Sequence, residues 1–116
     1  MRTCVADERE PARETLARDI TGYAIVGAYA RFFTECGFAE EVEAVNTAWK
    51  AGDRAGAVKG ISARVLDGLG AVGTADSCRE QLAAFVRSGV TPVVFPFAPP
   101  GPAARASLLR TFWAFP

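Results

Sequence analysis

The chain has 116 residues and a mass of 12.3 kDa; half the residues are apolar, and 13 basic side chains balance 13 acidic ones. Surface scaling at that mass buries about two-thirds of the extended chain's area, enough for one core and no second domain, and the composition is globular, not disordered. Balanced charge without a basic run argues against a nucleic-acid footprint, and the absence of histidine removes Ser-His-Asp and Cys-His nucleophile systems and the commonest zinc ligand.

Residues 2–6 read as a strand, closed by the polar run Asp7-Glu8-Arg9-Glu10. Pro11 suits the first turn of a helix, and the acids around it suit that helix's N-terminus. Leu16, Ile20, Tyr23, Gly27, Ala30 and Phe33 then line one broad helical face. Gly22 and Gly27 weaken this segment, so a kinked or split helix is expected. It ends at Cys36-Gly37-Phe38, with Gly37 in a left-handed position and Phe38 packing back on Phe33.

A second helix carries Val42, Val45 and Trp49 and stops at Gly52. Asp53 caps a third segment bearing Val58 and Ile61. Ser62 caps a short fourth one, with Val65, Leu66 and Leu69 buried. Thr74 caps a longer helix with Asp76 in its first turn and Cys78, Leu82, Phe85 and Val86 on its inner face. Gly89 ends it, with Val90 in contact with Phe85.

Residues 91–97 are apolar on both alternating faces, which predicts a strand covered on both sides, as in parallel α/β sheets. A Pro/Gly turn follows, then a short helix or apolar tail over residues 103–115, with Phe112, Trp113 and Trp49 as core or interface residues. The N-terminus reaches Asp7 and Glu8 before an apolar run can form, so it is not a signal sequence. Residues 88–104 are uncharged but hold five prolines, so they cannot form a spanning helix. Neither a membrane nor a nucleic-acid partner is expected.

Several stretches, in order, resemble the C-terminal portion of the luciferase-like monooxygenase family, the flavin- or deazaflavin (F420)-dependent oxidoreductases built on a TIM barrel. They are residues 3–8 with Pro11-Ala12-Arg13, residues 29–33 with Gly37-Phe38, and residues 49–54. The strongest is Val72-Gly73-Thr74-Ala75-Asp76-Ser77-Cys78-Arg79-Glu80-Gln81-Leu82, leading to Ser88-Gly89-Val90-Thr91-Pro92-Val93-Val94-Phe95-Pro96. The resemblance implies an α/β fold: a C-terminal segment of a (β/α)8 barrel, with about two parallel strands and several helices. A complete barrel takes about 250 residues, so the flavin bed and main phosphate loop would lie upstream of Met1. The implied partners are a missing barrel half or a second copy, and a small-molecule substrate; the implied cofactor is F420 or FMN.

Candidate site residues follow from strand ends. Gly73-Thr74 opens a helix running antiparallel to the strand after it, so its N-terminus lies where barrel enzymes keep their chemistry. It reads as a cofactor or anion site, or plainly as an N-cap. Asp7, with Glu8 beside it, and Pro96-Phe97 are the other mouth-facing candidates for a substrate pocket; the plain readings are helix capping and core packing. Gly68-Leu69-Gly70-Ala71-Val72-Gly73 satisfies G-x-G-x-x-G literally, but a helix precedes it and no acid follows in the next strand. It is read as a helix end and loop, not as a dinucleotide fingerprint.

Cys4 and Cys78 read as buried hydrophobes and Cys36 as exposed; the odd, CxxC-free set points to reduced thiols in a cytoplasmic protein. No catalytic residue and no metal site are assigned. The leading reading is the C-terminal part of a flavin- or F420-dependent oxidoreductase, inactive alone. The alternative is a non-catalytic helical module that pairs with itself or another chain.

Overall fold

The computed structural model describes residues 1–113, with side chains through Thr111. Among them are three strands and seven helices: β1 (Arg2–Val5), α1 (Arg9–Ala24), α2 (Gly27–Glu35), α3 (Ala39–Lys50), α4 (Arg54–Lys59), α5 (Ala63–Leu69), β2 (Gly70–Gly73), α6 (Ala75–Arg87), β3 (Phe95–Phe97) and α7 (Pro102–Trp113). The chain divides into two compact units. One joins Met1–Leu16 to the segment from Asp67 onward, and the other is Ala17–Leu66.

In the first unit the strands form one parallel sheet in the order β2-β1-β3. β1 is central: Cys4 pairs with Val72 on one side and with Phe97 on the other. Thr3, Cys4 and Val5 are fully buried, as a strand covered on both faces and paired on both edges requires. Val5 and Ala71 share a face with Cys78 of α6, and Ala75 and Leu108 of α7 pack against that cluster. Cys4 points to the opposite face, and the Thr15 hydroxyl of α1 donates to the Pro11 carbonyl at 2.8 Å. The connection from β1 to β2 steps one way across the sheet and that from β2 to β3 steps back past β1, so the strand order changes direction at β1.

Three expectations change here. Gly70–Gly73, read as a loop, is a fully buried strand, so there are three strands and not about two. The strand expected over residues 91–97 is the three-residue β3, and it is not covered on both faces: Val93 and Phe95 are 68% and 58% exposed. It is an edge strand, which is where its prolines are tolerated. In α6, Cys78 and Leu82 are buried as expected, whereas Phe85 and Val86 are exposed. A 13-residue helix spans about 20 Å, and four-residue strands span only about 13 Å, so the last turns of α6 run past the sheet.

The second unit is helical. Its part of α1 buries Ile20 and Ala24, four residues apart on one helical face. The expected split falls at Ile25-Val26, ahead of Gly27, and there Asn46 Nδ2 of α3 donates to the Ala24 carbonyl at 3.0 Å. The helix ends follow the predicted chemistry. Gly37 has φ +92° and Phe38 N–H donates to the Phe33 carbonyl at 3.0 Å. Asp53 accepts from Gly56 N–H at 2.8 Å and Ser62 Oγ from Val65 N–H at 3.4 Å. Phe33, Phe38, Val45, Ala57 and Ile61 are buried.

Glu41 is the charged residue in this interior. Its Oε1 accepts from Ser62 Oγ at 2.8 Å and from Arg64 Nε at 3.0 Å, and its Oε2 from Arg64 Nη2 at 2.7 Å. Burial pushes the carboxyl's pKa up, but the Arg64 and Ser62 hydrogen bonds, its own backbone N–H and the Arg64 charge outweigh this and hold it below the usual value. The expectation for Phe112 and Trp113 falls outside the described side chains, and that for Phe115 outside the described residues.

Candidate functional site

Because the strands are parallel, their carboxyl ends open on one rim. The register aligns Val5 with Gly73 and Cys4 with Phe97, and Ala6 N–H donates to the Gly73 carbonyl at 3.0 Å. The loops leaving β1 and β2 and the end of β3 therefore bring Asp7, Thr74 and Phe97 to the same edge of the sheet. Asp7, Glu8 and Thr74 are exposed, and Phe97 is half-buried. Pro96 sits one step inside: it pairs with Thr3, and its neighbours face β1, so its ring nitrogen lies on the outer edge. The strand order reverses at β1/β3, and the space beyond the carboxyl ends at such a switch point is where open α/β sheets take ligands.

Gly73 has φ +132°, and a Cβ there would lie 3.4 Å from Ser77 Oγ. Glycine thus lets β2 turn sharply into α6. Thr74 Oγ1 accepts from Ser77 N–H at 3.3 Å, which makes it the N-cap of α6. The acidic side chains around these turns are Asp7, Glu8 and Asp76, and Asp76 is ion-paired with Arg79. The Thr74 hydroxyl accepts the capping bond and keeps its own proton to donate, but the nearby carboxylates repel anions, so these residues by themselves fit the phosphate-bearing end of FMN or F420 poorly. An aromatic wall is available in Phe97.

The G-x-G-x-x-G spacing has no strand–loop–helix context: α5 precedes it, and Gly70 and Gly73 bound β2 itself. Cys4 and Cys78 are fully buried, and Cys78 Sγ lies 3.7 Å from the Cys4 carbonyl and 3.6 Å from that of Gly73. Burial pushes both thiols up to about 11; for Cys4 the neighbouring Cys78 adds to this and Thr15 opposes it. Neither thiol is a nucleophile near neutral pH. Cys36 is exposed at the end of α2. Thr3 is fully buried at the centre of β1, and its hydroxyl has no hydrogen-bond partner among the described residues.

Gln81, which lies in the strongest of the family-like stretches but has no role assigned from the sequence, shapes this region. The Gln81 carboxamide is bonded to Val72 of β2 and to Ser77. Its only sequence signal is its place seven residues after the Thr74 cap, two turns along on the same helical face, and nothing marks what it meets without knowledge of β2. Among the described residues no group of three potential metal ligands occurs, and no helix is long and apolar enough to cross a membrane.

Fold and rim define a parallel α/β protein with its candidate site at the strand carboxyl ends. The family model of luciferase-like monooxygenases matches residues 1–92, so the chain belongs to the luciferase-like monooxygenase family. No curated protein and no solved structure matches the chain.

Proposed function

We propose that this chain is the C-terminal part of a flavin- or F420-dependent oxidoreductase acting on a small organic substrate. The observation that carries the reading is the family match over residues 1–92 together with the meeting of Asp7, Thr74 and Phe97 on one rim. In such chemistry a reduced deazaflavin would supply hydride or its oxidised form accept it, and a reduced FMN would activate oxygen. This chain's part is to wall the mouth with Phe97 and to place the Asp7 carboxylate beside the substrate. Its acidic turns do not hold the cofactor's phosphate, so an upstream barrel half or a second copy completes the site. The setting proposed is the cytoplasm.

The test is reconstitution. The purified chain is mixed with the upstream half of a complete oxidoreductase of the same family, and oxidation of reduced F420 or FMN is followed with that enzyme's substrate. Turnover by the mixture and none by either part is expected, with a fall on Phe97→Ala. No turnover in the mixture, although the two parts associate, overturns the proposal.

A second reading, a non-catalytic module, is favoured by the strand order. A barrel places consecutive strands side by side, so β3 would neighbour β2; here it lies across β1. If this reading holds, the chain folds cooperatively alone and binds neither cofactor in any mixture.

A further inference from the structure

Any open sheet has two edges, and an uncovered edge pairs with whatever strand meets it. Here the outer edges are β2 on one side and β3 on the other. In β2, the Gly73 carbonyl faces β1, accepting from Ala6 N–H, so Val72 directs its N–H and C=O outward. Gln81 meets both: Val72 N–H donates to Gln81 Oε1 at 3.4 Å, and Gln81 Nε2 donates to the Val72 carbonyl at 3.3 Å. The same Nε2 has the Ser77 carbonyl at 3.1 Å and Ser77 Oγ at 3.0 Å as further acceptors, so its two hydrogens are shared among three oxygens and the amide's orientation is fixed. One carboxamide thus takes the place that a neighbouring strand's peptide group would take.

The other edge is blunted differently. Phe95 N–H donates to the Met1 carbonyl at 2.9 Å, and the Val93 carbonyl accepts from the Met1 amino group. Residues 93, 95 and 97 therefore face β1, and the alternate positions 94 and 96 face outward. Pro96 has no N–H to offer there, and Pro92 follows the same alternation.

We propose that Gln81 is an edge cap: its carboxamide stands in for a fourth strand on β2 and, with Pro92 and Pro96 on the opposite edge, keeps the sheet from adding strands. A strand that joins β2 must displace Gln81 first. The proposal concerns the chain by itself: an upstream barrel half that pairs with β2 in the assembly proposed above would have to open this cap, so the cap is tested on the isolated chain.

The experiment compares the full-length chain with Gln81→Met, which keeps the side chain's length and loses both bonds. Amide hydrogen exchange is read at Val72 and oligomeric mass by light scattering over a concentration series. Expected are a Val72 amide protected in the wild type and roughly two- to tenfold faster exchange in the variant, as the loss of about one net hydrogen bond implies. Concentration-dependent association should appear in the variant only. Exchange at Val72 unchanged by the substitution, or a wild-type Val72 amide as unprotected as an open edge, overturns the proposal. If Gln81→Met does not fold, Gln81→Glu serves: it keeps the acceptor for Val72 N–H but cannot donate to the carbonyl. Association by that variant supports the cap, and a strictly monomeric Gln81→Glu overturns it.

Discussion

Thr3 carries a hydroxyl in the middle of the sheet without a partner among the described residues, on the face where Val5 and Ala71 meet α6 and α7. A β-branched residue suits the strand, but its oxygen is desolvated for nothing in return. Thr3→Val keeps the shape and removes the orphan oxygen, and a gain of about 1 kcal/mol in urea unfolding is expected. A loss would mean that the hydroxyl has a partner after all. The thiols behave as buried hydrophobes. An Ellman titration at pH 8 should show one fast equivalent, Cys36, with Cys4 and Cys78 reacting only on unfolding. Their raised pKa values, about 11 against 9.0, mean that the folded state holds those protons more tightly. Stability on this account is complete below about pH 9 and falls as the pH rises from 9 to 11, by at most about 1.4 kcal/mol per pH unit per thiol. Cys4→Ser with Cys78→Ala should remove that alkaline slope.

At the scale of elements, the Glu41–Arg64–Ser62 cluster ties the first turn of α3 to the start of α5. Glu41→Gln removes the charge while keeping the shape, and a loss of about 1–3 kcal/mol in unfolding free energy is expected. Because the carboxyl's pKa is depressed in the fold, its contribution is present above the unfolded carboxylate range and disappears as the pH falls through the folded value. The variant should therefore lose part of the wild type's acid sensitivity. Gly73→Ala forces a side chain into φ +132° and against Ser77 Oγ, and a cost of about 1–3 kcal/mol is expected by thermal or urea unfolding. The helices were legible because their ends are written in local chemistry: Asp53, Ser62 and Thr74 accept at the start, and Gly37 stops the chain at the end. β2 was not, because a four-residue strand bounded by Gly70 and Gly73 looks like a turn when its only apolar residues are Ala71 and Val72. β3 was overdrawn because apolar composition alone cannot tell a covered strand from an edge. The rim residues Asp7, Thr74 and Phe97 followed from parallel topology, whereas Gln81 depended on a strand that the sequence did not reveal.

For the molecule as a whole, membership of the luciferase-like monooxygenase family and the structure bear on function at different levels. The family supplies the redox class. The structure supplies a rim at the strand carboxyl ends, with an aromatic wall and acidic turns that disfavour a phosphate, and a sheet in the order β2-β1-β3. The function proposed from them gives the chain a share of a cofactor site and leaves the phosphate to another polypeptide segment. The most direct test is an equilibrium titration of FMN and of F420, read by cofactor fluorescence, into the full-length chain with and without the upstream half of a family oxidoreductase. The account predicts no saturable binding by the chain alone and saturable binding, tighter than that of the half by itself, once both are present. Saturable binding by the isolated chain, or no gain when the two are combined, would contradict it.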